Sequence, residues 1–557
     1  MTGATGPAGS GVAATRAVAD EHVRALARLD PAAAQVLGAD PEVLVPDLSP
    51  DGWERRRALD GATLAALQAL SDAGPPDALR AAMTERLGSD AALHDSGFTT
   101  GLLAPLATPA HLLRQLFDNL PTAGTADWER VAVNLRAAAA GYRDWGTTLR
   151  WSAARFRPPA ARQVRGVAAA VRSWTDPAGI DYYRGLVAGA EVAPALEREL
   201  VDAAEQVSAA ADGFADLLER ELAPSADPRD GVGRERYAVT SAAFLGTEAD
   251  PDELYRYGWA ELARLGAQAR ALAGSLTGSA DLPAAREALD ARQQGRVPVG
   301  AALVDWLQGR LDAAADQLWG HHFSGAPAPV EARMVTAGSG VLYYTPADPA
   351  GTRPGRVWWS VPPGTASVPT WREVSTVHHE GLPGHHLQHA VTAGLADLHP
   401  WQRHLCHVHG YAEGWAHYAE QLAVELGLVR DDAELLGVLD AQLWRAARIV
   451  VDIGLHLDLP IPAGTGLTDA GRWTPEVGAD LLHRAAGVDP STARFEVERY
   501  LGWPGQALAF RVGARLIGAI RSDAERRPGF DRRAFHDGLL ALGPMGLGPL
   551  ARQVATG

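Results

Sequence analysis

The chain has 557 residues, 47% of them hydrophobic and 21% charged, with a formal net charge of −16 at pH 7. That balance specifies a folded globular protein with a substantial core and excludes an intrinsically disordered chain. The acidic excess excludes a broad nucleic-acid-binding face, and because all 51 basic residues are arginine, every mechanism that needs a lysine amine is excluded as well.

Residues 1–13, rich in Gly, Ala and Thr, read as a disordered tail, and 14–557 as a single large helical domain with approximate lobes at 14–330 and 331–557. The N-terminus carries no uninterrupted apolar core of signal-peptide length, and no later stretch reaches the ~18 apolar residues of a membrane span. A cytoplasmic protein without a membrane partner is the expectation. Apolar residues at three- and four-residue spacing predict amphipathic helices near 16–29, 53–70, 126–155, 193–222, 251–275 and 299–318. Breaks fall at the turn-prone clusters 72–76, 223–228 and 324–329.

Between about 330 and 365 the texture changes to short runs rich in β-branched and aromatic residues, which predict a small β-hairpin or sheet. Its position just before a histidine-rich helix would offer an edge strand to an extended peptide. Helices then resume near 370–382, 386–396, 402–427, 432–457, 474–486, 490–500, 505–523 and 531–541. The single cysteine, Cys406, can form no internal disulfide and supplies no thiolate cluster for a structural zinc.

The chemistry is concentrated in Val377-His-His-Glu-Gly-Leu-Pro-Gly-His-His-Leu-Gln388. Zinc peptidases commonly set two histidines four residues apart, which places both on one helical face with a glutamate beside the metal. Here His385 follows His379 by six residues, an offset that an unbroken helix would separate by ~9 Å of rise. Pro383 and Gly384 resolve the difficulty, since they predict a break near residue 382 after which His385 folds back. His378 and His386 offer alternative nitrogens, and spacing alone leaves open which pair binds.

A zinc hydrolase needs a third protein ligand, often a glutamate from a following helix. Tyr411-Ala-Glu-Gly-Trp-Ala-His-Tyr-Ala-Glu420 provides Glu413, with His417 and Glu420 at helical spacing from it. A solvated polar stripe is the plainer reading, but Tyr411, Trp415 and Tyr418 mark a buried wall. His417 and Glu420 are then candidates to orient a ligating histidine through its other nitrogen. Glu380 has the position of a general base that takes a proton from the attacking water and later gives it to the leaving amine. Tyr343, Tyr344, Arg499 and Tyr500 are candidate donors to the developing oxyanion.

The segments HHEGLPGHHLQ, YAEGWAHYAE, RAARIVVDIGLH and RYLGWPGQALAFRVG together resemble the bacterial domain-of-unknown-function family numbered 885, over about residues 20–545. That resemblance implies a zinc-peptidase-like protein with one zinc ion per chain at His379, His385 and Glu413 and with Glu380 as base. It also implies a mainly α, large helical architecture similar to the Taq-type carboxypeptidases, with two lobes around a deep groove. It adds Arg448, Asp452 and His456, spaced by four on one helix, and Gln506 beside the Pro504–Gly505 turn. The plainer reading of Arg448 and Asp452 is a structural pair on a helix surface. The family commonly has tyrosine and lysine where this chain has Phe510 and Arg511, so no hydroxyl or ammonium role carries over to those positions.

The expected function is therefore a zinc metallopeptidase of carboxypeptidase or dipeptidase type, acting on a peptide or small amide. A zinc hydrolase of a small-molecule amide or ester, and a helical binding or scaffold protein without turnover, are the competing expectations. An iron oxygenase would leave Glu380 without a task, and the paired Glu-x-x-His motifs of a di-iron bundle are not evident.

Overall fold

In the computed structural model, residues 7–556 are described apart from 71–76, 119, 177, 180, 326–327, 336–341 and 349–352. The protein is mainly α, with five short strands among its helices in the described residues. No helix among them is long and apolar enough to cross a membrane. The first helix, Pro7–Leu29, starts inside the stretch expected to be a tail. Its Thr15 hydroxyl bonds to the carbonyl of Gly11 at 3.1 Å and to Asp77 at 2.9 Å, which anchors the turn that follows residue 11. Residues 1–6 and the turn cluster 72–76 lie outside the described residues.

The chain forms two compact units, one of residues 1–240 with 495–504, the other of 241–494 with 505–557. The division thus falls at Thr240, well before the boundary near 330 drawn from the change in sequence texture. In the first unit the helix Ala161–Thr175 buries Val164, Val167, Ala168 and Val171, a stripe at helical period. It packs with the helices Thr125–Ala153 and Pro194–Leu217 around Tyr142, Trp145, Tyr183 and Phe214. Burial of each such side chain stabilises the unit by roughly 1.5–3 kcal/mol. The phenols of Tyr142 and Tyr183, 2.8 Å apart, satisfy each other inside that core.

In the second unit the helix Asp432–Leu457 is buried on most of its circumference and packs against Pro251–Thr277, Thr370–Glu380 and Pro475–Ala486. The Asp431 carboxylate caps it by accepting from the amides of Ala433 and Glu434, each at 2.9 Å. The helices His409–Glu425 and Ala509–Glu525 cross through glycine: a methyl on Gly414 would lie 2.7 Å from the Gly513 Cα. Two small sheets complete this unit. Strand β1 (Arg296–Pro298) pairs antiparallel with β5 (Ser367–Pro369). In the other sheet β4 (Gly355–Trp359) is central, parallel to β2 (Val330–Met334) and antiparallel to β3 (Tyr343–Thr345). Of the hairpin or sheet expected here, the chain forms a three-stranded sheet with one parallel pair.

Candidate metal centre

The helix Thr370–Glu380 stops one residue after His379, and a new helix, His385–Gly394, begins at the second histidine. The linker packs tightly onto the first helix: a Cβ on Gly384 would collide with the carbonyl oxygens of His378 and His379, so only glycine fits. His378 spends its Nδ1–H on the Leu382 carbonyl at 2.8 Å, and the Trp415 indole donates to the Pro383 carbonyl at 3.0 Å. His378 is thus part of the turn. Burial lowers its pKa to about 4.

This return brings the His379 and His385 rings to 4.9 Å between centroids, nearly perpendicular at 85°. Glu413, from the helix His409–Glu425, places Oε2 at 3.2 Å from His379 Nε2 and 3.5 Å from His385 Nε2. The three donor atoms lie within 4.8 Å of one another. Donors ~2.1 Å from a common tetrahedral zinc are separated by about 3.4 Å, so the two nitrogen–oxygen distances match such an ion. The donor set also fits chemically: two imidazoles and one carboxylate leave a fourth position for water or substrate.

Electrostatics point the same way. Burial would lower the pKa of His379, but its contacts with Glu413 and Glu420 outweigh burial and raise it to about 9. Burial would raise the Glu413 pKa, and His379 and His385 hold it far below the ordinary carboxylate range. A cationic imidazolium is favoured where a metal cation would otherwise sit between these groups.

Glu420, fully buried, accepts from His379 Nδ1 at 2.8 Å and from the Ser375 hydroxyl at 2.8 Å. Arg445 lies 3.7 Å and His417 Nδ1 3.3 Å from the same carboxylate. Burial opposes its ionisation, yet Arg445, His417 and His379 keep it ionised. His417 in turn accepts from Arg511 at Nε2, 3.3 Å away, and Arg511 pairs with Glu261. Phe510 stacks on the His379 ring at 6.0 Å and 17°, and the Arg448 guanidinium lies 4.3 Å from the centroid of the same phenyl ring. Arg445, Ser375 and the Phe510 ring were not singled out as parts of the site from sequence. Ser375 could have been, because it precedes His379 by one helical turn.

The remaining candidates divide by location. His386 has both nitrogens engaged, Nδ1 with the Tyr344 hydroxyl at 3.0 Å and Nε2 with the Ala328 carbonyl at 3.0 Å, which leaves His385 to face Glu413. Tyr343 is exposed and stacks on Trp358. Asp452 accepts from the Gly505 amide at 3.0 Å and lies 3.8 Å from His456 Nε2. Arg448, Asp452, His456 and Gln506 are all buried, so the pair on helix Asp432–Leu457 is not a surface pair. Arg499 and Tyr500 belong to the first unit, where both bond to Glu496, at 2.9 Å and 2.7 Å. Glu380 ends its helix beside His379 and is partly accessible, and its charge acts on that imidazole.

Fold and site together define a mainly helical protein with a partly buried two-histidine, one-glutamate cluster. The chain matches the family described as "Bacterial protein of unknown function (DUF885)" over residues 31–554 and belongs to it. Two solved structures share the fold. "The putative lipoprotein from Colwellia psychrerythraea" aligns at a TM-score of 0.81 and 21% identity, covering 98% of this chain and 99% of that one. A "putative lipoprotein of unknown function from Shewanella oneidensis" aligns at 0.72 and 15% identity, with 97% and 99% covered. No curated protein sequence matches the chain.

Proposed function

We propose that the protein is a zinc-dependent hydrolase, a metallopeptidase of carboxypeptidase or dipeptidase type. The observation that carries this reading is the convergence of His379, His385 and Glu413 within 4.8 Å, with Glu380 next in the chain to the first of them. Zinc held there would act as a Lewis acid on the scissile carbonyl and make water acidic enough to ionise near neutral pH. With zinc bound in place of the second proton, Glu420 would keep the His379 hydrogen on Nδ1 and leave the Nε2 lone pair for the metal.

Glu380 is the base: it takes one proton from water as the water oxygen bonds to the carbonyl carbon. It returns that proton to the amide nitrogen as the carbon–nitrogen bond breaks. Arg448, with its guanidinium against Phe510, gives this end of the site a cationic character suited to a free substrate carboxylate. This supports trimming at a chain end over internal cleavage.

The test is hydrolysis of a mixed peptide library by zinc-reconstituted protein beside Glu380→Gln, with metal content measured on both. Cleavage that is lost in the variant while zinc is retained supports the proposal. Zinc retained without cleavage by either protein would move the reading to a small amide or ester substrate or to a scaffold, and failure to bind zinc would end it.

A further inference from the structure

The first unit contains a cleft of its own, partly open to solvent. Its walls are apolar at Phe98, Leu102 and Leu501 and cationic at Arg157, Arg229 and Arg236, all within the first unit. A partly open cleft with a largely apolar wall suits a small molecule and not a folded partner.

The three arginines differ in how their charge is met. Arg157 donates from Nε to Asp227 at 2.6 Å and from its terminal nitrogen to the Gly231 carbonyl at 2.8 Å. Arg229 shares the same Asp227 carboxylate, at 3.2 Å through each of two nitrogens. The acidic residue in the wall, Asp230, is held by Arg162 at 3.0 Å, and Arg162 also holds Glu498 at 2.9 Å. Arg236 stands apart: its Nε is buried with no hydrogen-bond partner among the described residues. Burial, and after it the neighbouring Arg157 cation, hold its pKa below the usual guanidinium value. An arginine keeps its proton near neutral pH, so this partly exposed guanidinium, with its Nε shut off from water and without a partner among the described residues, is available to an anion that enters the cleft.

We propose that this cleft is a binding site for a small carboxylate with an apolar body, its carboxylate received by Arg236 and its body by Phe98, Leu102 and Leu501. The site is independent of the metal centre: its residues are separate, and it stands whether or not the protein is a peptidase. A carboxylate suits the fork of the guanidinium, and the flanking apolar wall favours an aryl or alkyl acid over a fully hydrated anion.

Binding of benzoate to the full chain, measured by calorimetry and by the shift in thermal midpoint at matched ionic strength, tests this. The protein is kept in chelator so that a carboxylate cannot be read out through a metal. Saturable benzoate binding, weakened at least tenfold in Arg236→Met, is the expected result. Benzamide, neutral and of the same shape, is the control that does not depend on a variant, and it should neither bind nor shift the midpoint. Equal effects of benzamide and benzoate, benzoate binding unchanged in Arg236→Met, or a response to inorganic phosphate without one to benzoate would each overturn the assignment. In anion-free buffer Arg236→Met should melt no lower than the parent protein, and a large fall would show that the guanidinium is already compensated.

Discussion

Glu420 Oε1 lies 2.8 Å from the Nδ1 of His379, on the far side of the imidazole from the Nε2 that faces Glu413 at 3.2 Å. One buried carboxylate would thereby hold the His379 hydrogen on Nδ1 when a metal takes Nε2. Glu420→Gln keeps the shape and removes the charge. It should weaken zinc binding roughly 10–100-fold, as loss of such orienting partners does. Competition with a chromogenic chelator measures this, and an unchanged affinity would remove the orienting role.

Gly414 and Gly513 set how closely the Glu413 helix approaches the helix that carries Phe510. Gly414→Ala puts a methyl where the Gly513 backbone already is, so the helices must separate. Urea denaturation should register a loss of about 1–3 kcal/mol, the usual cost of overpacking. The variant should also lose zinc more readily, because Glu413 moves with its helix.

Arg448 shares the Phe510 ring with His379, and in the proposed reaction it attracts the free carboxylate of the substrate. Arg448→Met should raise KM for peptides with a free C-terminus by one to two orders of magnitude, as expected for losing a charge-assisted contact of about 1.5–3 kcal/mol. Amidated peptides of the same sequence should be affected far less. A similar loss on both would place Arg448 in the scaffold alone.

Glu373 supplies a dependence on pH. It accepts from the Trp359 indole at 3.0 Å, and burial raises its pKa from 4.5 to about 7 against that bond and the Arg372 charge. The folded protein therefore binds more protons than the unfolded chain between these values. Its contribution is complete below about pH 4.5 and declines as pH rises through 7, by about 3 kcal/mol at most. Comparison of urea midpoints at pH 5 and pH 8 should show a larger fall for the parent protein than for Glu373→Gln.

Much of this centre is legible in sequence because its parts are local. The Pro383–Gly384 break explains the six-residue offset between His379 and His385, and the helix indeed stops at Glu380. Glu413 and Glu420 lie seven residues apart, two turns on one helix, so their joint approach to His379 follows from helical periodicity. Contacts made by distant segments were not legible. Nothing near Phe510 shows that its ring will stack on His379, and nothing near Arg445 that it will sit beside Glu420. The division into contact units differs from the approximate lobes for a related reason. The change in texture near 330 reflects short strands, whereas the division at Thr240 depends on which helices share a core. Arg499 and Tyr500 fall in the first unit because residues 495–504 return to it, a long-range event with no local signal.

That return also bears on how the protein is made. Gln163 donates to the Glu498 carbonyl at 3.1 Å, and a methyl on Gly502 would meet the Ala104 Cβ at 2.5 Å, so the returning segment is built into its host. A ribosome that has finished Thr240 has not yet supplied that piece. At roughly 5–20 residues per second, the N-terminal helices wait on the order of 10–50 s for it. Through that interval the nascent chain leaves Gln163 and the backbone at Ala104 without the segment that packs on them, and a gene fragment cut at Thr240 would make the wait permanent.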